Sequence, residues 1–262
     1  MRFRVVGLCL LFGTSAQACS GDASETAGSP VRSALARSPE PRAEATAGEF
    51  YPVRWSRDLS LRALADAEPR LRAREPHDFT ELTLADAKAR PASCSEWLEL
   101  HAKGYRPAGA LDEQTDRAAR IRCQTLSLLK DARPARASHV RELVWDRNLL
   151  PLLPAALATI DQPSRERAVN AASEAGKTLK EFDSRVRAKP VAGDASLVIL
   201  EGDRRRMISL HGEAWGDFNR DGVDDLVMSV VNGATDGDFS YARLMTFTRN
   251  APDAKLVPID VR

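Results

Sequence analysis

The stretch GDFNRDGVDDLVMSV, residues 216–230, holds the most concentrated chemistry in the chain. Asp217, Asn219, Asp221 and Asp225 fall at the first, third, fifth and ninth positions of one loop, with Gly222 among them. Calcium takes about six to eight hard oxygen ligands, which carboxylates, amides and backbone carbonyls supply. A backbone curled at this spacing turns alternate side chains toward one point. Val223, at the seventh position, can add its carbonyl, and Gly222 permits the sharp bend. The same residues support a second reading without a metal: Asp, Asn and Gly are preferred in turns between strands, where their side chains bond the turn backbone. Three carboxylates brought together without a cation repel one another, which favours calcium. The loop is not an EF-hand, because Met228 occupies the position of the closing glutamate. A second acidic turn, NGATDGD at 232–238, reads as a hairpin tip that could bring Asp236 or Asp238 toward the same site.

Catalytic patterns are sparse. His77, His101, His139 and His211 are scattered, without the i, i+4 spacing of a helical zinc pair. No nucleophile elbow, phosphate-binding loop or dinucleotide fingerprint is present. No catalytic residue is nominated, and the expectation is a non-enzymatic protein. The alternative is an envelope hydrolase, or an inhibitor of one, with its site between helices and sheet.

The N-terminus reads as an address. Arg2 and Arg4 precede the apolar run VVGLCLLFG, and Ala16 and Ala18 stand before Cys19. That is the build of a secretory signal over residues 1–18. Cys19, just past the cleavage point, resembles the lipidated cysteine of bacterial lipoproteins, although plain cleavage after Ala18 remains open. Ser20 then points, by the same resemblance, to the outer membrane. Residues 19–49 contain too little apolar surface for a core and read as a flexible tether. The expected location is the periplasm or the periplasmic face of the outer membrane, with the lipid anchor as membrane contact and an envelope protein or glycan as partner. Cys94 and Cys123 remain in the exported part and are expected to form a disulfide. With 38 basic and 37 acidic residues, the chain lacks the basic excess of a nucleic-acid binder.

The elements that must carry the loop divide by texture. Residues 50–193 are rich in Ala, Leu, Arg and Glu and read as mainly helical. Ser93 and Glu96 form a capping box ahead of a helix ending at Gly104. Asp112 caps a second helix that contains Cys123, SHVRELVWDRN gives a third with Ser138 as cap, and PSRERAVNAASEAGKTLKEF a fourth. The run LLPLLPAALATI, with Pro151 and Pro154, reads as a buried connector. Residues 194–262 hold five β-rich runs separated by turn residues. The expected class is α+β: a helical N-terminal part, then a small antiparallel sheet of about five strands with one face packed on the helices.

With a strand on either side, GDFNRDGVDDLVMSV resembles a single FG-GAP or VCBS-type repeat, the calcium-loop unit of integrin-like propeller blades. The likeness covers about residues 214–248. It implies Asp217, Asn219, Asp221 and Asp225 as calcium ligands through side chains, and Val223 through its backbone. One repeat cannot close a propeller, so a lone calcium-loop hairpin in a different domain is expected. The whole chain resembles bacterial exported proteins that carry one such GDxNxDGxxDL hairpin, and that resemblance implies no activity.

Overall fold

A computed structural model describes residues 50–56, 66–191, 195–202, 205–236 and 239–261. The expected signal segment over 1–18, Cys19 and the expected tether over 19–49 lie outside the described residues, as does Asp238. Five strands run through the C-terminal third: β7 (Ser196–Leu200), β8 (Arg206–Gly216), β9 (Val223–Ala234), β10 (Ser240–Thr248) and β11 (Val257–Ile259). They pair antiparallel in the order β11-β10-β9-β8-β7.

The expected class needs correction. The sheet is not a small five-stranded one after a helical region; it has eight strands. Three come from the part read as helical: β1 (Arg54–Trp55), which pairs with β8; β5 (Ala137–Ser138), parallel to β9; and β6 (Arg187–Pro190), against β7. A separate three-stranded sheet, β3-β2-β4, is made by β2 (Leu82–Leu84), β3 (Ala87–Ala89) and β4 (Arg106–Pro107). Strands of two to four residues carry almost no period. Backbone pairing with distant partners creates them, so a local pattern misses them. The third expected helix fails for this reason: residues 137–138 pair with β9, and the chain then turns into a 3-10 segment at Arg147–Leu152.

Helices cover both faces of the sheet, not one. On β9 successive side chains point to opposite sides. Leu226, Met228 and Val230 join Leu149, Leu153, Leu157 and Leu179 in one core. Val227 joins Trp97, Cys123, Leu126 and Leu129 in another. A strand buried on both sides reads as a continuous apolar run, as LVMSVV does. The first layer contains the proline-interrupted connector as short 3-10 turns, with α4 (Pro163–Glu174) and α5 (Leu179–Phe182). The expected fourth helix thus divides in two around Gly176.

The second layer holds α1 (Ala67–Arg72), α2 (Cys94–Ala102) and α3 (Ala110–Asp131). Ser93 accepts from the Glu96 amide at 3.2 Å, while Glu96 accepts from Ala92 N at 2.7 Å. Gly104, at φ +94°, ends the α2 turn in a left-handed conformation. Gly109, not Asp112, caps α3, so that helix starts three residues earlier than its acidic signal suggests. The Cys94–Cys123 disulfide staples α2 to α3, with an S–S distance of 2.05 Å. No helix among the described residues is long and apolar enough to cross a membrane.

Candidate functional site

Residues 217–222 join β8 to β9, and other parts of the chain hold both ends of the loop. Asp217 and Arg133 exchange backbone hydrogen bonds at 2.8 and 3.0 Å. Gly222 O accepts from the amides of Arg136, at 2.8 Å, and Ala137, at 3.2 Å. Arg220 and Gly222 take left-handed conformations, φ +69° and +87°. Glycine does so freely; Arg220 does so at a cost of about 1 kcal/mol. Two such residues curl the loop around Asp217.

The buried Asp217 carboxylate organises the curl. Oδ1 accepts from Arg220 N at 2.6 Å and Asp221 N at 3.1 Å, and Oδ2 from Gly222 N at 3.0 Å. Asn219 Oδ1 accepts from Asp221 N at 3.0 Å, and its amide nitrogen donates to Asp221 Oδ2 at 2.9 Å. Val223, the first residue of β9, donates its amide to Asp221 Oδ1 at 2.7 Å. These four residues thus form one local network.

Asp225 is different. It is fully buried, and its Oδ2 accepts from Phe218 N at 3.0 Å, closing the loop across its base. Its Oδ1 is buried and meets no donor at full hydrogen-bond geometry among the described residues, although the Thr248 hydroxyl and the Asn219 backbone amide lie near the carboxylate. Burial pushes the carboxyl up to about 6; the nearby Thr248 side chain and the Phe218 amide oppose this, and the charge of Asp221 adds to it. A carboxylate in this position lacks positive charge.

Whether calcium suits this loop follows from the same atoms. In the conformation seen, no group of three or more His, Cys, Asp or Glu side chains converges on one point among the described residues. Asp217 and Asp221 lean on the loop's own amides, as in a metal-free turn. The donor set is nevertheless calcium's, with carboxylates, an amide oxygen and a carbonyl all on one curled backbone. Asp225 Oδ1 supplies what a closed turn would not have: a buried anionic oxygen that no donor meets at full hydrogen-bond geometry. The residues fit the ion, and Asp225 is the observation that separates the site from a plain turn.

Other polar clusters escaped the sequence reading. Asp224 was legible only as one more acid of the loop. It is buried, accepts from Arg141 Nε at 2.6 Å and from Ser138 Oγ at 2.9 Å, and ties the 137–141 segment to β9. Burial raises its carboxyl above the usual range against the opposing pull of Arg141. On the helical layer, buried Asp116 receives Trp97 Nε1 at 2.8 Å, His101 Nε2 at 2.9 Å and Arg120 Nη2 at 3.0 Å. Trp97 with His101 and Asp116 with Arg120 are both i, i+4 pairs, a signal visible beforehand. Ser196 Oγ lies 2.5 Å from His211 Nδ1 across β7 and β8. This pair shows no carboxylate completing a relay among its described contacts.

No family model, curated protein or solved structure matches the chain.

Proposed function

We propose that this is a non-enzymatic, exported bacterial envelope protein whose 217–225 loop takes one calcium ion. In this reading the ion is structural. It pins the β8–β9 loop, and the loop presents a binding surface for an envelope partner. Asp217, Asn219, Asp221 and Asp225 would hold it through side-chain oxygens and Val223 through its carbonyl. When bound, calcium supplies positive charge beside carboxylates that otherwise repel one another. The chain's own residues do the rest: Asp217 fixes the curl, Gly222 permits it, and the 133–137 segment clamps it from outside.

One observation carries the proposal: the buried Asp225 carboxylate has no cation beside it, and its Oδ1 meets no donor at full hydrogen-bond geometry among the described residues. A buried anionic oxygen without a donor or cation costs stability, and a structural turn gains nothing by keeping it. Support for the address comes from the basic–apolar–small pattern ahead of Cys19. Thermal unfolding of the full chain tests the ion: millimolar calcium is expected to raise the midpoint, and Asp225→Asn to abolish the rise. An equal rise in both proteins would exclude the loop. Intact mass of the mature protein tests the address, with a diacylglycerol-bearing Cys19 expected and a free thiol there contradicting lipidation.

A further inference from the structure

Outside the Asp loop the backbone clamp creates a second feature. A pocket of about 560 Å³ is lined by Phe50, Arg133, Pro134, Arg136 and Arg220 together with Asp217, Asp221 and Gly222 of the loop. Three chain segments make it, and backbone bonds lock all three together. Tyr51 pairs with Ala135, Arg133 with Asp217, and Arg136 donates to Gly222. The positions of the three arginines are therefore fixed even though their side chains reach solvent.

Elsewhere in the protein arginines have evident work. Arg141 pairs with Asp224, Arg165 with Glu201, Arg120 with Asp116 and Arg122 with Asp78. Arg133, Arg136 and Arg220 make no ion pair among the described residues. The two carboxylates beside them do not answer them: Asp217 accepts three loop amides, and Asp221 accepts from Val223 N and Asn219. Three guanidinium groups thus face one pocket with their donors unassigned. One of them, Arg220, stands in a left-handed conformation that glycine would hold more cheaply.

We infer that this pocket binds a phosphomonoester. Guanidinium forks match the oxygens of phosphate and make charge-assisted, often bidentate bonds to it. Three forks suit a group with three peripheral oxygens better than a carboxylate with two. Phe50, 57% exposed, and Pro134 give the carbon side of an ester an apolar surface to lie against. A phosphate on a lipid headgroup and one on a soluble ester present the same recognition chemistry to these arginines. The inference does not rest on calcium. Asp221 separates the two sites, since it would hold the cation but repels an anion in the pocket.

The test is a titration of the full chain, in chelator, with inorganic phosphate and separately with vesicles of phosphatidic acid in phosphatidylcholine. Saturable binding is expected, weakened about tenfold by each of Arg133→Gln, Arg136→Gln and Arg220→Gln. Arg167→Gln, which alters an exposed arginine of α4, should leave it unchanged, and Asp221→Asn should tighten it. Melting temperatures of the arginine variants should match the parent, because backbone bonds hold the clamp. Binding to phosphatidic acid vesicles alone would support a lipid-borne phosphate; binding to inorganic phosphate as well, a soluble ester. No saturable binding to either probe, or equal loss in Arg167→Gln, would overturn the inference. Calcium binding that survives such a result would leave the loop proposal standing.

Discussion

Asp116 and Asp225 are both fully withdrawn from water, yet their surroundings are opposite. Asp116 receives an indole N–H, an imidazole nitrogen and a guanidinium, and its two oxygens are both engaged. Asp225 receives the Phe218 amide on one oxygen, and the other meets no donor at full hydrogen-bond geometry, with only the Thr248 hydroxyl and the Asn219 backbone amide near the carboxylate. The first is a finished structural joint between α2 and α3, beside the disulfide that staples the same helices. The second is unfinished. Buried polar groups in folded proteins are nearly always satisfied, so an orphan carboxylate oxygen marks a place where something else belongs.

Removing the finished joint should cost most. Asp116→Ala leaves Arg120, His101 and the Trp97 N–H without their acceptor, and the loss is expected to be about 3–5 kcal/mol in guanidinium unfolding. A loss below about 1 kcal/mol would erase the contrast. Replacing Cys94 and Cys123 by serine should cost slightly less, about 3–4 kcal/mol for a loop of 29 residues, by the same measurement.

The unfinished site should behave in reverse. In chelator, Asp225→Asn removes a buried charge and is expected to raise stability at neutral pH by roughly 1–3 kcal/mol. Its folded carboxyl titrates near 6, above the ordinary 3.8. The folded state therefore holds the proton longer, and Asp225 lets stability fall as pH rises from about 4 through 6. Calcium should cancel that slope in the parent and have no effect in the variant. Stability curves against pH, with and without calcium, check all of this.

The smallest effect concerns His101. Burial lowers its pKa, assisted by Arg106 and Arg120, while Asp116 opposes. A base held below its ordinary 6.5 contributes stability above that pH, and the contribution is lost on acidification. His101→Gln should flatten a shallow acid-side decline that remains in Asp225→Asn. The two regions thus respond to acid with opposite signs.

The shape of the loop was legible in the sequence, because a turn built on Asp, Asn and Gly is a local code. Residues 217–225 specify their own curl through Asp217, Asn219 and Gly222, and the structure places them on one turn between two strands. The orphan oxygen was not legible. It depends on β9 entering the sheet with Asp225 on the side facing the α3 layer, a tertiary consequence. The five long runs from 196 onward are strands because their β-branched residues and turn punctuation agree. The sheet's true size was hidden, since Arg54–Trp55, Ala137–Ser138 and Arg187–Pro190 become strands only by pairing with β8, β9 and β7. SHVRELVWDRN shows the same limit: its helical spacing lost to the pairing of Ala137 and Ser138 with β9 and to the buried bond between Arg141 and Asp224. Arg133, Arg136 and Arg220 looked like ordinary surface charge until backbone pairing gathered them beside one loop.

Calorimetric titration of calcium into the chelator-stripped full chain tests the central claim most directly, with Asp221→Ala and Asp225→Asn alongside. The account predicts saturation near one equivalent in the parent and its loss in both variants. No heat of binding, together with a melting temperature that calcium does not move, would contradict it and leave residues 217–225 as a turn closed on its own amides.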